Sequence, residues 1–464
     1  MAGSVKQADE TAGSGDGARP AASGGPSDAD LPGRGKRVLL VGSGDLSEET
    51  RRALDAAGAE VHRLKDPNDR QMRSAIEGGG IDSVAVVSRN DAVALRFALM
   101  VRYVSEDVPL LVTIFDETIS EQLKMEVPNC RITSMADIVG PSLAGPCIDE
   151  GLTAVRTNGD DEAVGLRETA DGVEEASLRA PKRRRTAALA SAIFTPFDKS
   201  AGLLLYGATG LLSLLVIETV LAALVLDQPL VDAFYGAAKT LTTVDPNTAV
   251  QDGPAWFKVF VSVTMLTGLV LATAFTAGLV NRLVDRRLTG LVGRRAVPRR
   301  DHVVVVGLGQ VGLRLCMLLR SCGIGVVAVE TGEEENVGLA RELGLPVVVG
   351  GGADPSLLRR LSIPRALALA AVTSDDLDNI RVAMSGRSLD EDLRVVLRAG
   401  DGGVANETRS LFQIGLVRDV HRIAAVLIAA EALGSEAESV VCVGDEALLL
   451  HGDGRLETFP APAV

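Results

Sequence analysis

The sequence predicts two α/β domains of Rossmann type on either side of an α-helical, two-span membrane module. Three observations carry this. Apolar strands alternate with helices from Arg37 to Phe115 and again from His302 to about Ala430, the pattern of a parallel sheet. A glycine turn follows the first strand of each half, Gly42-Ser43-Gly44 and Gly307-Leu308-Gly309-Gln310-Val311-Gly312. Between the halves, Leu203–Leu226 carries one charged residue, Glu218, and Val259–Val280 carries none. A helix needs about 20 apolar residues to cross a ~30 Å hydrocarbon core, and both runs suffice.

The expected division is a tail over 1–35, a first α/β domain over 36–147 and a linker over 148–198. The membrane module follows over 199–296, the second α/β domain over 300–433 and a short extension over 434–464. The tail is Ala, Gly, Ser, Asp and Pro, too polar to offset chain entropy by burial, so disorder is expected. It lacks the basic start and apolar core of a signal peptide. In the first domain, Arg37–Gly42, Val84–Val87 and Leu110–Phe115 read as strands, and Ser47–Ala57 and Asp91–Val104 as helices. Residues 148–180 are acidic and weakly apolar, and so read as a linker.

The formal charge is −14, but the basic residues gather beside the spans. Lys182-Arg183-Arg184-Arg185 precedes the first, and Arg282, Arg286, Arg287, Arg294, Arg295, Arg299 and Arg300 follow the second. The positive-inside rule then places both flanks and both termini in the cytoplasm, with Asp227–Gly253 outside. Clusters set against spans read as membrane anchors, so no nucleic-acid partner is expected. The five cysteines form no C-x-x-C pair, and reduced thiols are expected. The four histidines show no metal-ligand spacing; neither a metal nor a catalytic residue is expected.

Between the spans, Pro229 suits a first helical turn, and Phe234, Tyr235, Ala238 and Leu241 recur at helical spacing. Two readings stay open: a re-entrant pore helix, or an outer loop with an interfacial helix.

The second domain has the dinucleotide fingerprint in context. The strand from His302 runs into the three-glycine turn, and the next strand, Gly325–Val329, ends at Glu330. That acid lies 330 − 312 = 18 residues past the third glycine, close to the ~20 of a ribose-binding acid. Leu343–Val349 and Ala366–Val372 read as further strands, the latter ending in Thr373-Ser374-Asp375-Asp376. Arg398, at the end of Leu393–Leu397, is either a phosphate ligand or a solvated strand-end charge.

The two α/β halves repeat one another. Val87-Ser88-Arg89-Asn90-Asp91 aligns with Val372-Thr373-Ser374-Asp375-Asp376 at an offset of 372 − 87 = 285, whereas the glycine turns are 307 − 42 = 265 apart. The first copy is therefore about twenty residues shorter, one helix and one strand, and it lacks the acid. Its expected role is packing against the second copy.

Residues 302 to about 430 resemble the RCK family, the regulators of potassium conductance, also called TrkA N-terminal domains. The resemblance implies a Rossmann sheet closed over NAD(H) or another adenine nucleotide, and pairing through a crossover helix, here His421–Leu433. It implies a site of Gly307, Gly309, Gln310, Val311, Gly312, Glu330, Thr373, Ser374 and Asp375, with Arg398 as a further candidate. The extension, with small strands expected at Ser439–Val443, Leu448–His451 and Leu456–Phe459, is too short for the second lobe of many such proteins.

The segment Val231–Val244 resembles the pore region of potassium-channel subunits. Thr240-Leu241-Thr242-Thr243-Val244 matches the first half of T-x-T-T-V-G-Y-G-D, and Asp245-Pro246-Asn247-Thr248 stands where Gly-Tyr-Gly-Asp should be. The resemblance implies a homotetramer in lipid that passes cations. Its filter would be Thr242, Thr243, Val244, Asp245, Pro246 and Asn247, and Gly268 the bend of the inner helix. Potassium filters are rings of backbone carbonyls, and Pro246, with fixed φ and no N–H, is incompatible with the usual outer half. Two functions follow: a nucleotide-regulated cation channel, or a non-conducting membrane sensor of nucleotide state. A tethered dehydrogenase is disfavoured, because no His or Lys stands beside the turn as acid or base and fold alone confers no activity.

Overall fold

The computed structural model describes residues 31–158, 162–169, 172–178, 199–242, 248–284, 298, 300–332, 335–400, 415–443 and 446–461. The expected tail up to residue 30 and the basic stretch 179–198 lie outside the described residues.

The first sheet contains β1 (Arg37–Val41), β2 (Glu60–Leu64), β3 (Ser83–Val86), β4 (Leu110–Thr113) and β5 (Cys130–Thr133). All are parallel, in the order β2-β1-β3-β4-β5. Its helices are α1 (Asp45–Ala56), α2 (Asp69–Glu77), α3 (Asp91–Val104), α4 (Glu117–Glu126) and α5 (Met135–Ile148). Side-chain caps start most of them: Asn68, Asn90, Asp116 and Ser134 each accept from a first-turn backbone N–H.

The linker expected over 148–198 begins instead with an antiparallel meander: β6 (Ala154–Asn158), β7 (Glu162–Thr169) and β8 (Gly172–Ser177). Of the acids that suggested a linker, Glu168, Glu174 and Glu175 are exposed, while Leu152, Ala154, Val155 and Leu166 are buried. Net charge hid the few apolar residues that the meander buries.

The membrane module follows as α6 (Lys199–Val225), α7 (Leu230–Leu241) and α8 (Ala255–Val284), with a short 3₁₀ turn at Thr248–Asp252. Two of these are long and apolar enough to cross a membrane, Tyr206–Val225 at mean hydropathy 2.2 and Ala255–Val280 at 2.0. Ala222, Ala233, Val250, Phe257 and Val261 form their small shared core. Leu212, Leu224, Val259, Leu266 and Val270 face outward, which suits lipid or further copies of the chain.

The second sheet contains β9 (His302–Val306), β10 (Gly325–Glu330), β11 (Val347–Val349), β12 (Ala368–Ala371), β13 (Val395–Ala399) and β14 (Leu416–Asp419). Its helices are α9 (Gln310–Ser321), α10 (Glu335–Glu342), α11 (Pro355–Arg360), α12 (Asp376–Arg387) and α13 (Val420–Ala432). The strand order β11-β10-β9-β12-β13-β14 reads 3-2-1-4-5-6, the doubly wound order. The first sheet has the same order without its third strand. That strand lies at the edge, so its loss breaks no interior pairing. The chain ends in a second meander, β15 (Ala437–Val443), β16 (Glu446–His451) and β17 (Leu456–Phe459).

The repeat extends to single hydrogen bonds. Asp91 accepts from Phe115 N–H at 3.2 Å, and Asp376 from Gly400 N–H at 3.0 Å, both pairs related by 285 positions. Arg102 donates to the Val108 carbonyl as Arg387 does to Leu393, at the same offset. The copies interlock: α5 of the first half packs on α9 of the second, and α13 of the second packs on α1 of the first. One apolar cluster takes in residues of both halves, and Leu166 of one meander meets Val441 and Leu450 of the other.

Candidate functional site

The carboxyl ends of β9, β10 and β12 border a groove of about 410 Å³, where ligands bind doubly wound sheets. Gly307, at φ +99°, turns the chain so sharply that a Cβ there would lie 2.8 Å from the Thr373 nitrogen. Gly312 does not line the groove. A Cβ on it would sit 1.8 Å from the Gly307 carbonyl, so its role is to seat α9 on the turn. Gly309 caps α9 without a side chain and has open space around it, leaving the first-turn N–H groups accessible. Gln310 and Val311 line a neighbouring cavity between the two halves instead.

Glu330, only 7 % exposed, lines the groove. Its carboxylate accepts from the Leu308 N–H at 2.7 Å, the Thr331 N–H at 2.7 Å and the Thr331 hydroxyl at 3.1 Å. A carboxylate offers about four acceptor positions, so it holds the glycine turn and keeps capacity for a further donor. Thr373, Ser374 and Asp375 line the opposite wall. Behind them Asn379, fully buried, accepts from Thr373 N–H at 2.9 Å and donates to the carbonyls of Thr373 and Arg398. It ties the turn to the end of β13.

Arg398 is 8 % exposed, which excludes the solvated strand-end charge. Its Nε has no hydrogen-bond partner, and burial, with Arg89 nearby, lowers its pKa to about 10. It lines both the groove and the cavity between the halves. Sequence reasoning missed Gly350, Gly351 and Gly352, the groove's third wall, although three glycines after β11 are a signal of the same kind as the first turn. It also missed Arg381, which borders the groove and pairs with Asp378 at 2.8 Å.

The first copy lacks these features. Ser47 takes the place of the third glycine, its hydroxyl donating to the Gly42 carbonyl at 3.0 Å. Gly42 N–H bonds the Leu64 carbonyl as Gly307 N–H bonds that of Val329, so Lys65 stands in the register of Glu330. Arg63 closes an ion pair with Glu48 of α1.

In the membrane module α7 ends at Leu241, and the Thr242 hydroxyl donates back to the Ala238 carbonyl at 2.9 Å. Thr243, Val244, Asp245, Pro246 and Asn247 lie outside the described residues. Glu218, 2 % exposed, hydrogen-bonds Thr240 of α7. α8 runs as one helix through Gly268, where a Cβ would sit 3.1 Å from Leu241. Among the described residues no cluster of His, Cys, Asp or Glu is arranged to hold a metal.

Comparison with known proteins agrees with this picture. The TrkA-N domain family model matches residues 303–411. The voltage-gated potassium channel Kch of Escherichia coli (strain K12) is 25 % identical over 226 residues, 47 % of this chain and 51 % of that protein. Potassium channel protein 1 of Methanocaldococcus jannaschii is 24 % identical over 198 residues, 40 % of this chain and 57 % of that one. This chain thus spans about half the length of the curated relatives it matches. Among solved structures, the GsuK channel bound to NAD is similar over 86 % of this chain and 64 % of that chain, with TM-score 0.48 and 13 % identity. The chain is potassium-channel-like and carries an RCK domain of the TrkA-N type.

Proposed function

We propose that the protein is a subunit of a nucleotide-regulated cation channel with an atypical filter. One observation carries this reading: a Rossmann groove with its acid in place and a span–pore helix–span hairpin occur in one chain. The groove holds NAD(H) or another adenine nucleotide. Gly307 and Gly309 face its phosphates, Glu330 its ribose, and Thr373, Ser374, Asp375 and Arg398 the remaining polar groups. Four copies surround the pore in the lipid bilayer, both termini are cytoplasmic, and Gly268 is where the inner helix bends. Neither enzymatic activity nor nucleic-acid binding belongs to this reading.

Recording from the purified protein in bilayers with potassium, sodium and calcium, with and without NAD, NADH, ADP and ATP, tests it. Ligand-dependent unitary currents are expected. Asp245→Asn should reduce cation conductance or divalent block with assembly intact, because a ring of four carboxylates attracts cations. The substitution of Asp245-Pro246-Asn247 for the glycine-rich half of a potassium filter favours a second reading, a non-conducting sensor of nucleotide state. Silence under every ligand condition selects it.

A further inference from the structure

The groove has a neighbour that the nucleotide reading does not use. A cavity of about 160 Å³ lies where the carboxyl edges of the two sheets meet. Ser88, Arg89 and Asp91 border it from the first half, and Gly309, Gln310 and Arg398 from the second. A cofactor pocket is usually about 300–1,000 Å³; this one has room for a phosphate group and none for a nucleoside.

Its charge is unusual. Arg89 stands close enough to disfavour the charge of Arg398. Neither forms an ion pair among the described residues. Two carboxylates stand near without closing an ion pair: Asp91 accepts from Phe115 and Asp116 N–H, and Asp376, which accepts from Gly400 N–H, partly offsets the charge of Arg398. Between the arginines His421, on α13, is 2 % exposed. Its Nδ1–H donates to the Gly400 carbonyl, which leaves Nε2 unprotonated to accept from Arg89. Burial and Arg89 both lower its pKa, so the ring stays neutral and orients Arg89 without neutralising it. A guanidinium has five N–H donors; Arg89 has donors to spare, and Arg398 keeps a buried, unpartnered Nε. The amino end of α9, capped by Gly309 alone, opens onto the same space and favours an anion there.

We infer that this cavity is a phosphate subsite shared by the two halves, in which Arg89 of the first and Arg398 of the second clamp a terminal phosphate against the amino end of α9. The degenerate first copy thereby supplies a ligand to the site of the second. The inference rests on the nucleotide reading for the identity of the phosphate, since Gly309, Ser374 and Arg398 border both the groove and the cavity. A free pyrophosphate presents the same chemistry.

Calorimetry on the purified full-length protein, with ADP, adenosine and pyrophosphate as separate probes, tests it. Arg89 is exposed, so Arg89→Ala should fold. It is expected to weaken ADP and pyrophosphate by about tenfold or more, the scale of a lost charge-assisted contact, and to leave adenosine unchanged. Arg89→Lys should restore part of the loss, and Arg398→Gln should repeat the pattern. Glu330→Gln should weaken ADP and adenosine together and spare pyrophosphate. Wild-type affinity of Arg89→Ala for both ADP and pyrophosphate overturns the inference, and marks the Arg89–His421 bond as interdomain packing only. If wild type binds neither ADP nor adenosine, the nucleotide reading fails. Pyrophosphate binding lost in Arg89→Ala would then still uphold the anion site, and its absence would end it.

Discussion

Asn379 shows how one buried side chain can hold a ligand wall. It satisfies Thr373 N–H and two carbonyls from a position with no exposure. Asn379→Ala leaves those groups unpaired in the interior, at about 1–3 kcal/mol for such a loss. Thermal unfolding of the whole protein in detergent should show a clear fall in Tm, with weaker ADP binding than wild type. His302 offers a pH test. It is fully buried, Nε2–H donates to the Leu361 carbonyl at 3.0 Å, and burial pushes its pKa down from 6.5 to about 4. A depressed histidine pKa means that the unfolded chain binds the proton first. The stability it contributes is complete above about pH 6.5 and is lost as pH falls toward 4, by up to about 3 kcal/mol. His302→Gln should flatten that acid limb in Tm measured against pH.

Among the elements, α5 and α13 decide most. Each follows the last strand of its own sheet and packs on the first helix of the other. Twelve of the thirteen residues of α13 are buried, so it has no solvent face. The exception, Glu431, lies near the end, its side chain 7 % exposed and 3.3 Å from Arg131 of β5. Burial outweighs that arginine and raises the glutamate pKa to about 7. For a carboxyl with a raised folded pKa, the contribution is full below about pH 4.5 and declines as pH rises to about 7. Glu431→Gln should therefore raise Tm at pH 8 and change it little at pH 4.5. This slope opposes that of His302, and the two variants separate them. Ala424, wholly buried on α13, gives a sharper probe. Ala424→Asp buries an unpaired charge and should separate the halves, read as rapid proteolysis of the full-length protein.

At the scale of the whole molecule, one chain contains a pseudo-symmetric pair of Rossmann halves and a membrane hairpin inserted between them. One nucleotide per chain is expected in calorimetry, since Lys65 and the Arg63–Glu48 pair occupy the corresponding place in the first half. Two equivalents bound would refute this. Much of the plan is local in origin and so legible in the sequence alone. Strand runs, helix caps, the glycine turn with Glu330, the two spans and the 285-residue offset each depend on neighbours a few positions away, or on plain repetition. What the sequence concealed depends on distant partners. The meander at 154–177 buries Leu166 against Val441 and Leu450, nearly 300 positions on, which its acidic composition conceals. Arg89 and Arg398 border one cavity only across the two halves, and His421 of α13 hydrogen-bonds Arg89 from 332 positions away in sequence. Periodicity and spacing record how each segment folds by itself; which charges end up side by side is decided by the packing of segments far apart along the chain.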